Sequence, residues 1–223
     1  PKRVIFNPGT ENEELVQLIG LSGVCHDLAK SNAEWQKYIK NKNIKKGPTH
    51  SPCGAFFFSY LGYCLLEKKN IWDKYNIYWL WLARDIADHH SNLGSLSDDS
   101  WLKRYLWDMY DLKGIEEFIK TQYNELSELQ FNEKVLENWL DIGDEKIEEV
   151  LDLLDLGYEQ WEPLTLMNRL QEWRMLTTSL IAGDRFDVKS IQTKWLDKHK
   201  NTEYCCNIDE YCRKNQGHPL STV

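Results

Sequence analysis

Four of the six histidines stand beside carboxylates, beside one another or at a helix start: His26-Asp27, Thr49-His50-Ser51 and His89-His90. Imidazole and carboxylate together are a donor set for Mn, Fe, Co, Ni or Zn. One carboxylate bridging two ions ~3.5–4 Å apart would make a two-metal hydrolytic centre. The spacing of apolar residues around these groups carries the expectation. Leu15, Ile19 and Ser22 lie on one helical stripe whose next position is His26. Tyr75, Trp79, Leu82 and Ile86 form a second, followed by His89 and His90. Leu166, Leu170, Trp173, Thr177 and Ile181 form a third, followed by Asp184. At ~100° per residue each set keeps to one helix face. Three core-facing stripes thus end in an imidazole or a carboxylate. Buried without partners such groups are costly, and a shared ion satisfies several at once. The competing account of any one of them, a hydrogen-bonded core histidine, loses weight because they occur together. Lys30 follows His26 by four residues and falls on its face. It is placed to contact a substrate phosphate, the alternative being a surface lysine snorkelling from a helix end.

The elements that must position these groups all have helical spacing, and no run of strand alternation appears. The pattern predicts one helix or two over 11–41, then a break at Gly47-Pro48. A helix over 52–69 follows, with Pro52 in its first turn and Ser51 or Thr49 as cap. Another spans 72–90 and ends at Ser91-Asn92-Leu93-Gly94. Further helical stretches are expected over 99–129 with a break near Gly114, and over 131–156 with a turn near Gly143. Two more are expected over 163–183 and 187–200. The fold class is all-α, a helical bundle with a metal site at converging helix ends. It is read as one domain over 1–223, with 201–223 a tail or the start of a linker. Trp79, Trp81, Trp107, Trp139, Trp173 and Trp195 are expected to fill the core rather than stack on bases.

Apolar residues make up 42% of the 223 residues and charged residues 28%, which excludes disordered, collagenous and membrane-spanning classes. No apolar run approaches the ~20 residues a spanning helix needs. With 27 Lys and Arg against 35 Asp and Glu the net charge is −8, so the chain is no general coat for nucleic acid. Cys25, Cys53 and Cys64 lie in apolar helical contexts, and the cysteines suit a reduced, cytoplasmic protein. His199, Cys205, Cys206, Cys212 and His218 lie near the C-terminus in no standard zinc-finger spacing, so ordinary packing is favoured over a zinc site.

The ordered motifs resemble a family. His26-Asp27-Leu28-Ala29-Lys30 followed by Trp35-Gln36 is similar to the His-Asp-x-x-Lys…(aromatic)-Gln signature of HD-domain phosphohydrolases. More narrowly, it resembles the nuclease domain of the CRISPR-associated type I interference helicase-nuclease. Thr49-His50-Ser51 with Gly54-Ala55 resembles that family's His-Ser…Gly-Ala step. His89-His90-Ser91 resembles its His-His-Gly, with Ser for Gly. Ala182-Gly183-Asp184-Arg185 resembles its Ala-Asp-(Trp or Arg), with a glycine inserted. The resemblance implies an HD-domain fold and two divalent ions (Mn, Fe, Co or Ni, with Mg a further candidate). Asp27 would bridge them, with His26 and Asp184 on the first ion and His50, His89 and His90 on the second. Lys30 would stabilise the scissile phosphate, with Ser51, Ser91 and Arg185 also facing substrate. It implies cleavage of single-stranded DNA, fed by a helicase domain or subunit and recruited by an RNA-guided CRISPR surveillance complex. The family carries a further histidine upstream of the His-Asp pair, and residues 1–25 contain none. Gly217-His218-Pro219-Leu220 resembles the point where nuclease passes to helicase, so an excised domain is expected.

The alternative enzyme uses the same ligands on nucleotides, as a dNTPase or cyclic-nucleotide phosphodiesterase. The alternative outside catalysis is a degenerate HD domain serving as an interaction module, and the missing upstream histidine is its best support.

Overall fold

The computed structural model describes residues 13–188 other than 42, 45, 93 and 161. These residues hold seven α-helices and no strand: α1 (Glu13–Cys25), α2 (Ala33–Lys40), α3 (Ser51–Lys68), α4 (Trp72–Asp88), α5 (Leu112–Gln122), α6 (Glu133–Gln160) and α7 (Pro163–Val188). The chain divides into two compact units, Pro1–Gly183 and Asp184–Val223. The helical core belongs to the first. Only the last residues of α7 are described in the second.

Helix α3 is the centre of that core because it is apolar on every side. Phe56, Phe57, Phe58, Leu61, Leu65 and Leu66 are all buried, and a helix without a polar face must be enclosed. It packs against α1, α4 and α6. Ser59 sits in its middle and serves two indoles. Trp79 Nε1 donates to the Ser59 carbonyl at 2.8 Å and Trp139 Nε1 to the Ser59 hydroxyl at 2.8 Å. That lets α4 and α6 bury large rings on α3 without an orphaned N–H. Trp79, Trp81, Trp107 and Trp139 are buried and Trp173 is half-buried, stacked on Trp81 with centroids 5.6 Å apart. Trp195 lies outside the described residues.

Several boundaries differ from the sequence expectation, each for a local reason. The 11–41 stretch is two helices, α1 and α2, joined by a 3-10 turn over Leu28–Ser31, and Asn32 caps α2 by accepting from Glu34 N at 2.8 Å. Helix α3 has His50 at its cap position, with no side-chain capping bond. Of 99–129 only α5 and short 3-10 turns are helical, and Gly114 lies in the first turn of α5, where its amide meets the Asp111 carboxylate. Gly143 makes no turn. It lies inside α6 as a buried contact, where a Cβ would come within 3.1 Å of Leu102 and the Trp139 ring. The α7 seam is rotated from the expected stripe. Arg169 and Glu172 bond the Tyr78 hydroxyl, and Leu176, Thr177 and Leu180 are buried, so Leu170 faces outward at 44% exposure. The 187–200 helix falls, beyond Val188, outside the described residues, as do the cysteines and histidines near the C-terminus.

Asp85 on α4 anchors α7. Its carboxylate accepts from Thr177 Oγ1 at 2.8 Å and Trp173 Nε1 at 3.2 Å. Burial is the main cause that pushes its carboxyl up to about 7, with neighbouring Asp88 adding to it and the two hydrogen bonds opposing. No helix among the described residues is long and apolar enough to cross a membrane.

Candidate metal centre

The first turn of the site comes from the end of α1. His26 N still bonds the Ser22 carbonyl at 2.9 Å, so His26 continues the buried stripe of Leu15, Ile19 and Ser22 just past the last helical residue. Its Nδ1 lies 2.7 Å from the Gly23 carbonyl. A carbonyl only accepts, so that nitrogen carries the proton and Nε2 keeps its lone pair. His89 repeats the device at the end of α4, with Nδ1 2.7 Å from the Ile86 carbonyl. Its Nε2 is buried with no hydrogen-bond partner. Burial first, then the neighbouring histidines, hold the His89 imidazole down at about 4, so it is neutral at physiological pH.

His50 arrives from the start of α3 and joins the two halves. Its Nε2 is 3.4 Å from Asp27 Oδ1 and 3.3 Å from His90 Nε2. The same Asp27 oxygen is 3.6 Å from His26 Nε2 and 2.5 Å from Lys30 Nζ. Burial alone would raise the Asp27 carboxyl. The hydrogen bond from His50 and the Lys30 ammonium beside it outweigh this and hold the group well below the usual carboxylate range. His50, His89 and His90 each bring a ring nitrogen within 4.8 Å of the others. The rings of His26 and His50 lie 5.5 and 5.4 Å from that of His89. Burial grades across the cluster: His26 and His50 are buried, His89 is half-buried and His90 is exposed, so the histidines reach solvent on the His90 side.

Two contacts made from neighbouring elements shape this arrangement. Gly54 lets α3 lie directly on the end of α1, since a Cβ there would come within 2.8 Å of the Cys25 carbonyl and 2.9 Å of the His26 carbonyl. Only glycine permits so close a backbone approach. From α2, Trp35 stands edge-on to His50 with centroids 5.1 Å apart, and Lys30 Nζ lies 5.5 Å from its centroid. Gln36 Nε2 donates to the Lys30 carbonyl at 2.9 Å, so α2 braces the turn that carries Lys30.

The donor set fits divalent transition metals. Two of the four imidazoles have Nδ1 tied to backbone carbonyls, the usual outer partner of a metal-binding histidine. One of these leaves a buried Nε2 with nothing to bond, and one ionised carboxylate lies among them. Nitrogen-rich sets of this kind select against Ca.

The structure thus brings together His26, Asp27, Lys30, His50, His89 and His90. Lys30 gets there differently from the expected shared helix face. Helix α1 ends at Cys25, and Lys30 reaches Asp27 across the 3-10 turn as an i,i+3 pair. Ser51 is buried in the first turn of α3. The Ser91 hydroxyl is directed at the Asp88 carbonyl, 3.3 Å away, and its amide bonds the same oxygen at 2.7 Å. Asp184 lies on α7 as the first residue of the second unit. The Arg185 side chain lies outside the described residues.

No family model, curated protein or solved structure matches this chain. The site is therefore read from its own geometry. Sequence reasoning passed over Arg84 and Asp88, which support the end of α4. Their signal was a charged i,i+4 pair on the last turns of a helix whose residues from Trp79 to Ile86 are all buried.

Proposed function

We propose that the chain is a metal-dependent phosphodiesterase of the HD phosphohydrolase kind, cleaving single-stranded DNA in CRISPR interference. The observation that carries the reading is the Asp27 oxygen, placed between the Nε2 atoms of His26 and His50 within a cluster of four imidazoles. A carboxylate in that position serves two ions better than one. His26, with Asp184 as the proposed further carboxylate, would hold the first. His50, His89 and His90 would hold the second. Bound there, divalent ions (Mn, Fe, Co or Ni, with Mg a further candidate) would supply Lewis acidity and a water of lowered pKa.

The chain's own residues do the rest. The ionised Asp27 can offer its oxygens to a cation without a prior deprotonation. The two carbonyl-bonded imidazoles present fixed lone pairs, so little reorganisation is needed. Lys30 is the nearest cation and is proposed to bind a non-bridging phosphate oxygen once Asp27 is occupied elsewhere. Ser51, Ser91 and Arg185 are the proposed further substrate contacts. The burial of His26 and His50 favours a flexible single strand over a rigid duplex, and the −8 charge offers no broad basic face to grip one. The proposed partners, a helicase and an RNA-guided surveillance complex, would deliver the strand, and the proposed compartment is the cytoplasm.

The test compares one labelled oligonucleotide, single-stranded and annealed, with dNTPs and cyclic nucleotides at fixed salt and Mn. Preferential cutting of the single strand, silenced by EDTA, is expected. Turnover of nucleotides with intact oligonucleotides would assign the site to a nucleotide phosphohydrolase. No turnover and no bound metal would leave an interaction module.

A further inference from the structure

His89 and His90 pose a geometric problem. Neighbouring residues of a continuing α-helix point ~100° apart, yet both rings face His50, with centroids only 3.9 Å apart from each other. The regular helix ends at Asp88 and the chain runs on in a tighter turn, with His89 at φ −59°, ψ −13° and Ser91 N bonding the Asp88 carbonyl at 2.7 Å. No C-terminal glycine cap follows directly, and His89 and His90 themselves lie outside the regular helix.

What fixes the stop is a buried charge cluster one turn earlier. Arg84 is only 4% exposed. Its Nε and Nη2 hold Asp88 Oδ2 at 2.8 and 2.7 Å, and its Nη1 reaches the Asp98 carbonyl at 2.6 Å and the Asp98 carboxylate at 3.2 Å. Asp88 Oδ2 also accepts from Gly94 N at 2.6 Å. The guanidinium thus binds the residue before His89 and the loop after His90 at the same time. Gly94 packs so closely that a Cβ there would collide with Arg84 Nη2. A planar fork is needed for this, because it can serve two carboxylates and a carbonyl at once, where an ammonium is a point charge.

We infer that Arg84 is a positioning residue for the second ion's ligands: with Asp88 and Gly94 it clasps the chain on both sides of His89-His90 and so makes two adjacent imidazoles converge on His50. This rests on the two-ion reading only for what the convergence is for. The convergence itself is a property of the chain.

The test uses the full chain with Arg84→Lys and Gly94→Ala. These strain the clasp from its buried and its exposed side, so failure of the buried variant to fold leaves the other informative. Cobalt(II) is titrated alone, followed by its visible d–d bands, and ring-proton NOEs among His50, His89 and His90 are recorded without metal. Each variant is expected to bind the weaker-held cobalt 10–100-fold less tightly, and to lose the His89–His50 and His90–His50 NOEs with helical content unchanged. Variants with wild-type NOEs, or an affinity loss that only follows unfolding, overturn the inference. A wild type that binds no cobalt defeats the two-ion reading instead, and the NOEs then decide the positioning role by themselves.

Discussion

Replacing Gly54 with alanine tests the contact on which the site is assembled. A Cβ at this position would stand 2.8 Å from the Cys25 carbonyl and 2.9 Å from that of His26. Both neighbours are backbone, so they cannot swing aside. Restoring an ordinary contact near 3.4 Å needs α3 to retreat from α1 by roughly 0.5 Å, and such overpacking costs about 1–3 kcal/mol. Alanine in a helix also gains up to ~1 kcal/mol over glycine, which blurs a single measurement. Gly20→Ala removes the ambiguity. That site is also helical, and its added Cβ would meet only the Tyr123 hydroxyl, at 3.8 Å. The difference between the two variants then isolates the clash. Gly20→Ala should be slightly stabilised and Gly54→Ala should fall about 1–3 kcal/mol below it. At 2–4 °C per kcal/mol for a chain of this size, a 2 kcal/mol gap is about 4–8 °C. The same retreat carries His50, four residues earlier on the chain, away from Asp27, so Mn affinity by calorimetry should drop in Gly54→Ala and hold in Gly20→Ala. Equal midpoints and equal Mn affinities would refute the idea that backbone contact between α1 and α3 sets the spacing of His26, Asp27 and His50.

Asp27→Ala is expected to abolish oligonucleotide cleavage and lower metal stoichiometry while far-UV circular dichroism is retained, since α3 and its neighbours supply the core. Wild-type rates with Mn present would sink the bridging role. Lys30→Ala should slow cleavage yet keep the metal content, measured by elemental analysis, because lysine is no ligand here; metal loss would show that its pairing with Asp27 is structural. Asp85 gives a pH prediction. Its folded-state carboxyl titrates near 7, above the unfolded value near 4, so the folded state holds an extra proton between them. Stability from this group is therefore full at low pH and lost as pH rises through 7. Asp85→Asn, which keeps an acceptor for Thr177, should match wild type in thermal midpoint near pH 4 and exceed it by a margin that grows up to about pH 7. His89 acts in the opposite sense. Its imidazole titrates near 4 when folded against 6.5 unfolded, so its contribution is full above 6.5 and lost as pH falls towards 4. In the Asp85→Asn background the chain should then gain stability from pH 4 to 6.5, and a flat profile there would contradict a buried neutral His89.

The all-helical class was legible because a period of 3.6 runs through most of the chain, and the stripe through Leu15, Ile19, Ser22 and His26 is buried as drawn. His26, His89 and His90 could be gathered from that periodicity, while Asp27 came as the neighbour of His26 and His50 from the start of the next helix. The failures have a common cause: local propensity was overruled by packing. Gly143 reads as a turn, yet it is where α6 admits Leu102. Leu170 reads as core, but polar partners for Tyr78 set the α7 seam one position away. The Arg84–Asp88 clasp was hidden because its other partners, Gly94 and Asp98, come from the irregular segment after α4, which has no period to read.

The enclosure of α3 has a further consequence, for how the chain survives its own synthesis. From Ser51 to Leu66 this helix carries no charged residue, and in the finished fold it is covered all round except at Pro52 and along Tyr60, Tyr63 and Cys64, which stay half-buried. Part of the cover arrives early, from α1 and α4. The indole of Trp139, which lies against Tyr60 and Tyr63, comes some 80 residues after Ser59 in sequence. At 5–20 residues per second a ribosome needs about 4–16 s to deliver it. For that interval a greasy flank of α3 stands open, which makes the nascent chain a natural client for holdase chaperones. It also means that fragments cut before α6 should be insoluble even though they contain every histidine of the cluster.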